Sequence, residues 1–249
     1  MKYIKFCLII FAYFSLLHCG IEDYPFINPI PQANITQTMN NRAVIRVPDD
    51  YEGSPFSHFA IFYRIYVSDI PQASTTSANS YPTINPVLSS DYNSFRTYID
   101  STTHVNVDMQ SLFQGRGYKY LALMGHNINN VLSSDAFGST ITFDFSSLKM
   151  PTMALGGTTY TLWRSDGFGL FSPLPNRNFV NSEELWKSEN INSTINADVV
   201  NKSDINERDR HYTYAAMFIV AVGVNVSTGY SEIYSTPSLI HVFQLPDQW

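Results

Sequence analysis

Reactive side chains are sparse and scattered in this chain. Its six histidines are His18, His58, His104, His126, His211 and His241. No two of them stand in the His-x-x-x-His spacing that would turn both toward one metal ion on a helix. His104 and Asp108 share parity on a candidate strand, but four strand residues span ~13 Å, too far for a single cation, so the pair reads as a polar outer face. Ser165-Asp166-Gly167-Phe168-Gly169 is glycine-rich yet contains no basic residue and follows a strand; it reads as a turn rather than a phosphate cradle. The sequence contains no nucleophile elbow, Walker loop or dinucleotide glycine pattern. Glu183 and Glu184 are adjacent, do not face one another on a helix and suit the positive end of its dipole. Asp204, Glu207 and Asp209, mixed with Lys202, Arg208 and Arg210, lack the dense oxygen set and glycine turn of a calcium loop. The Asn-x-Ser/Thr sequons at Asn34, Asn192, Asn201 and Asn225 follow from an Asn/Ser-rich composition. No catalytic residue, metal site or cofactor is therefore assigned.

One thiol differs from everything else. The only cysteines are Cys7 and Cys19. Lys2 and Lys5 give a cationic start, an apolar run follows from Phe6 to Leu17, and Cys19 closes it. This is the layout of a secretory signal peptide. The run holds about 12 residues where a spanning helix needs ~20, which argues against a permanent transmembrane helix. Ordinary cleavage wants small residues at the third and first positions before the cut, and the stretch from Leu16 to Gly20 does not supply them. Leu16-Leu17-His18-Cys19-Gly20 resembles instead the lipobox of bacterial lipoproteins, in the looser form found in spirochaetes, because His18 stands where Gly, Ala or Ser is usual. The resemblance implies cleavage before Cys19 and attachment of a diacylglycerol there, often with a third acyl chain such as palmitate. A plain secreted product is the alternative. One chain anchors only marginally and two or more anchor stably, so the resemblance places the protein at the bacterial cell envelope, lipid-anchored to a membrane, periplasmic or surface-exposed.

The elements behind that address are strands. Sixteen tyrosines and 17 phenylalanines, with charged residues at only 14%, suit sheets joined by polar loops. Alternating or aromatic runs predict strands at 42–47, 58–67, 103–109, 118–126, 140–145, 158–164, 212–224 and 238–245. One short helix is predicted at 182–188, capped by Asn181 and Glu184. The composition and strand spacing predict an all-β fold, an antiparallel β-sandwich. Lys2 and Lys5 would leave with a leader, taking 15 basic against 21 acidic residues to 13 against 21, a net charge of −8. A balance this acidic, with no basic stripe, excludes nucleic acid and electrostatic adhesion to anionic lipid.

Self-comparison finds an internal echo. Tyr63-Arg64-Ile65-Tyr66-Val67-Ser68-Asp69 aligns with Tyr160-Thr161-Leu162-Trp163-Arg164-Ser165-Asp166, and Tyr120 to Asn127 aligns with Phe218 to Asn225, at shifts of 97 and 98 residues. Gly117-Tyr118-Lys119-Tyr120-Leu121-Ala122-Leu123 resembles the sixth strand of fibronectin type III-like sandwiches. The resemblance implies a tyrosine corner at Tyr118, and His211-Tyr212-Thr213-Tyr214 repeats the theme. The expected organisation is a signal peptide at 1–18, a lipid-anchored tether at 19–40, a first unit at 41–147 and a second at 148–249 with a long loop at 173–210. Packing of Tyr24, Phe26 and Ile27 onto the body is the alternative to a free tether.

The long polar segments 74–93 and 173–210 exceed ordinary loop lengths and carry Tyr81, Tyr92, Phe179 and Trp186. Exposed on a rigid sandwich, these aromatics would contact a glycan or a protein partner; the alternative is that they cover the ends of the sandwich as satellite packing. The expected activity is therefore binding or scaffolding at the membrane, toward an envelope or host protein or a glycan, and not catalysis. The alternative is a glycan-acting hydrolase with carboxylates converging from separate loops.

Overall fold

The computed structural model describes residues 26–39, 41–51, 55–68, 86–99, 109–146, 150–164, 186, 199–200, 212–225 and 230–245. In chain order the strands are β1 (Ile35–Met39), β2 (Arg42–Arg46), β3 (Phe56–Ser68), β4 (Lys119–Tyr120), β5 (Ala122–Leu123), β6 (Thr140–Asp144), β7 (Thr152–Leu155), β8 (Thr158–Trp163), β9 (Val199–Val200), β10 (Tyr212–Asn225), β11 (Ser231–Tyr234) and β12 (Ser238–Gln244). Among the described residues three α-helices accompany them: α1 (Pro86–Ile99), α2 (Met109–Gly115) and α3 (Ile128–Val131).

The two long strands organise the molecule. β3 and β10 are nearly continuous in apolar and aromatic residues, and they pair antiparallel from Tyr212 opposite Ser68 to Gly223 opposite Phe56. A strand that reads apolar at both parities must be covered on both faces. On one face Phe59, Ile61, Tyr63 and Ile65 join Ala215, Met217, Ile219 and Ala221 in the larger core. On the other, Ala60, Phe62 and Tyr66 join Tyr214, Ala216, Phe218, Val220 and Val222 in a second core. β11 and β12 pair with β10, β4 pairs with β3, and β9 joins β3 in parallel.

The second sheet runs β1-β2-β6-β7-β8-β5, and its strands alternate. Ala43 and Ile45, Ile141 and Phe143, Met153 and Leu162 point into the larger core, while Arg42, Arg46 and Thr140 are exposed. Period-2 patterning marks a sheet covered on one face only. The larger core is thus the filling between two layers, with Phe145 stacked on Phe243 at 4.5 Å.

Helices α1 and α2 cover the remaining face of the β3–β10 sheet. Leu88 and Phe95 are two turns apart on one side of α1 and are buried with Phe113 of α2. Phe113 stacks on Phe62 at 4.1 Å, and Phe95 meets Phe218 edge-on at 4.8 Å. Burying each such ring contributes on the order of 2–3 kcal/mol.

The antiparallel all-β sandwich expected from the sequence is the fold observed, with two helices laid on one outer face. Nothing in this arrangement separates two fibronectin type III-like units. β3 from residues 41–147 pairs along its length with β10 from 148–249, and β6 pairs with β7 across the expected boundary. The tyrosine corner is also corrected: the Tyr118 hydroxyl meets the Tyr66 hydroxyl at 2.8 Å and not backbone upstream. The tether expected over 19–40 ends earlier, because Ile27, Ile30 and Ile35 are core residues and Ser238 Oγ donates to the Ile30 carbonyl. Residues 26–39 therefore belong to the body.

The strand expected over 118–126 is two pieces in different sheets. β4 pairs with β3, and β5 pairs with β8. Leu121 makes the crossing, its N–H donating to Ile61 O at 2.9 Å, and Met124 N then donates to Thr161 O at 3.0 Å. Part of the long polar segment 74–93 is helix α1 and not loop. The strand expected at 103–109 lies outside the described residues except Met109, which opens α2. The helix expected at 182–188 is likewise outside them except Trp186.

Candidate functional site

Two groups of polar side chains stand on the helix-covered side of the β3–β10 sheet. The first centres on Asp91 of α1. Its Oδ2 accepts from Arg64 Nη1 and from the Tyr66 hydroxyl, both at 2.8 Å, and the Tyr66 hydroxyl also meets Tyr118 OH at 2.8 Å. Arg116 Nε stands 4.0 Å from Asp91 Oδ1. The Arg64 guanidinium lies over the rings of Tyr66 and Tyr118 at 5.6 and 5.9 Å. Gly117, with φ +75°, passes close beneath it, and a Cβ there would sit 3.6 Å from the guanidinium carbon.

The backbone explains why these groups meet. Arg64 and Tyr66 are two apart on β3 and share its helix-facing side. Asp91 lies between Leu88 and Phe95 on the buried face of α1, and the turn after α2 delivers Arg116 and Tyr118. Asp91 is only 4% exposed, so its charge is compensated by Arg64 alone at hydrogen-bond range. Burial, above all else, pushes both phenols far above the ordinary tyrosine value. Neither can shed a proton near neutrality. The cluster is chemically quiet: its carboxylate is occupied, its phenols are neutral, and its effect is to fix α1 on the sheet.

The second place is the start of β3. His58 Nδ1 lies 3.0 Å from Ser57 Oγ, while Nε2 is enclosed with no hydrogen-bond partner. Burial lowers the pKa of His58, and the carboxylate of Glu232 opposes that shift. The Tyr234 hydroxyl donates to Glu232 Oε2. Serine, histidine and glutamate together suggest nucleophilic chemistry. Ser57 and His58 meet where the register of β3 against β10 shifts, but the second nitrogen of the imidazole is enclosed without a partner, so no third group orients the pair. Glu232 is bound to a tyrosine and does not orient the imidazole. This is a buried titratable group at the sheet's end and not a triad.

The outer face of the six-stranded β1–β8 sheet is polar and nearly neutral. Thr140, Thr142, Thr152, Thr159 and Thr161 line it together with the half-buried ring of Trp163. Its facing charges, Arg42 and Asp144, stand 3.7 Å apart. Partial burial would raise the Asp144 pKa, but hydrogen bonds from Ser146 and the charge of Arg42 leave it lowered.

The aromatics singled out from the sequence fall in different places. Trp186 is 4% exposed; its Nε1 donates to Leu162 O at 3.0 Å, and its ring packs on Tyr63 at 5.3 Å and Phe145 at 5.2 Å. It is a core residue, because its one polar atom finds a buried carbonyl and the rest of the ring is apolar. Tyr92 lies half-buried on α1 against the second core. Cys19, Tyr81 and Phe179 lie outside the described residues, as do His104 and Asp108. Trp186 and Tyr92 therefore do not form one exposed cluster. Among the described residues no group of three His, Cys, Asp or Glu could hold a metal ion, and no helix is long and apolar enough to cross a membrane.

The knot at Asp91 was not read from the sequence. Arg64 is the one charged residue in the apolar run 56–68, and a lone charge in a doubly covered strand demands a buried counter-ion. That was the available signal. Comparison with known proteins adds nothing to the geometry: no family model, no curated protein and no solved structure matches the chain.

Proposed function

We propose that this protein is a bacterial lipoprotein, acylated at Cys19, whose β-sandwich serves as a binding or scaffolding module at the cell envelope. The observation that carries the proposal is the short path from the lone cysteine to the folded body. Cys19 follows the apolar run from Phe6 to Leu17, and Ile27 is already packed in the core. Six residues lie between Cys19 and Phe26, so a sandwich begins directly behind the acylation point. The described polar clusters fit a module better than an enzyme, since Asp91 is ion-paired, Asp144 is held by Ser146 and Glu232 is bound by Tyr234. The partner class is another envelope or host protein, or a glycan.

Phase separation in a detergent that clouds on warming tests the reading. Wild-type protein expressed in a bacterium that processes lipoproteins should enter the detergent phase, and Cys19→Ser should remain in the aqueous phase. Equal partitioning of the two would contradict it.

A further inference from the structure

We infer that the end of the sandwich bearing Phe26 and Tyr230 lies against the lipid bilayer, with these two rings seated at its headgroup level. The inference rests on the acylation of Cys19 proposed above and specifies which surface of the body the anchor brings to the membrane.

Both rings border the last residues of β10. Ile27 reaches Gly223 so closely that a Cβ there would lie 3.1 Å from Ile27 Cδ1, which places Phe26 beside this end. Tyr230 N donates to Asn225 O at 3.0 Å and closes the connection between β10 and β11. Phe26 is 37% exposed and Tyr230 is 78% exposed. Tyr230 also has φ 65°, a left-handed backbone that is uncommon for a non-glycine residue and calls for a local reason. The Tyr230 ring, with its polar tip, prefers the boundary between water and lipid to either phase; the Phe26 ring adds apolar area beside it, and presentation there supplies such a reason.

The chain's own length fixes the geometry. Seven residues from Cys19 to Phe26 span at most about 25 Å when fully extended. The turn from β1 to β2 lies well away from this end, because His241, paired with Met217, meets Met39 O at 2.9 Å. Met217 is eight strand residues from Asn225, roughly 27 Å. An anchor on so short a lead therefore favours contact through the Phe26 end. Charge then selects the lipid. Exposed Asp49 and Asp50 precede Tyr51, whose ring lies 5.1 Å from that of Phe56, the partner of Gly223, and exposed Glu232 is paired with Val224. Three carboxylates repel anionic headgroups, so the matching surface is a zwitterionic bilayer.

Site-directed spin labelling tests this on the acylated full-length protein in phosphatidylcholine vesicles. With Cys7 removed in the leader and Cys19 acylated, Tyr230→Cys, Phe26→Cys and Met39→Cys each carry one free thiol for a nitroxide. The labels at Tyr230→Cys and Phe26→Cys should be relaxed by oxygen and shielded from a water-soluble nickel chelate, with an oxygen-to-nickel ratio several-fold above that at Met39→Cys. Equal exposure of all three labels to nickel, on protein whose Cys19 mass shows acylation, would overturn the orientation and leave the anchor standing. Spin–spin broadening confined to the Tyr230→Cys label would mark a second copy on this face and would also overturn it. An unmodified Cys19 would remove the anchor and this inference together.

Discussion

Asp91 is a single carboxylate on a helix face otherwise made by Leu88 and Phe95, and Arg64 is a single cation on an apolar strand. Each makes sense only beside the other. Removing one partner of a buried ion pair leaves the other charge uncompensated, at a cost of about 3–5 kcal/mol. Asp91→Ala should therefore lower the denaturation free energy by that order, measured by urea titration. Asp91→Asn, which keeps one acceptor, should lose less. Tyr66→Phe should cost about 1–2 kcal/mol, since it deletes a hydroxyl that donates to a charged group. The buried phenols also set an alkaline limit. They stay protonated in the folded state, so as pH rises past their ordinary value of 10.0 the unfolded chain releases protons first and stability falls. His58 sets an acidic limit of opposite sign. Its folded pKa is lowered from 6.5, so its contribution is intact above that value. That contribution is lost as pH falls through 6.5 toward the lower folded pKa, because the unfolded chain binds the proton more readily. Thermal unfolding followed from pH 7.5 to 5 should show a falling midpoint, and His58→Gln should flatten that slope.

Among the elements, legibility followed the number of covered faces. β3, β10 and β12 were plain as apolar runs because burial acts on nearly every residue, and β2, β6 and β8 as alternating segments because it acts on one face only. β1, β7 and β11 are short and lean on neighbours, so their local pattern is weak. The stretch 118–126 reads as one strand because both its pieces are apolar, and only the pairing of β4 and β5 with different sheets reveals the crossing at Leu121. Helix α1 was hidden by Asp91 itself: a charge on the buried face breaks the apolar stripe by which a helix is recognised. Trp186 was ambiguous for a related reason, since an aromatic in a polar stretch carries no mark of whether it packs inward or contacts a partner. The close approach at Gly223 gives an element-scale test. A side chain there would meet Ile27, Pro55 O and Ile233 within 3.1 to 3.2 Å. Gly223→Val should destabilise by about 1–3 kcal/mol through overpacking, although valine favours strands. Unfolding in urea would measure it, and a neutral or stabilising result would contradict the packing described.

At the scale of the molecule, the two halves of the chain share their sheets. β3 pairs with β10, β6 with β7, and β5 with β8. Fragments 41–147 and 148–249 expressed apart would each lose a long central pairing and expose apolar faces. The intact protein should accordingly unfold in one cooperative transition, with circular dichroism and tryptophan fluorescence superimposing. Two resolved transitions, or a fragment that folds alone, would restore separate units. The internal echo at about 97 residues would then describe domain structure and not merely shared alternation.

What the molecule does depends on where it is held, and the proposed address rests on a pattern around one cysteine. The proposed acyl anchor rests on two lysines, a short apolar run and Cys19, and the folded body begins within a few residues of that cysteine. The decisive measurement is the mass of the N-terminal peptide from protein purified out of bacterial membranes. The account predicts a peptide beginning at Cys19 and heavier than its sequence by a diacylglycerol, with or without a further acyl chain. A peptide of unmodified mass, or one beginning elsewhere, would contradict it.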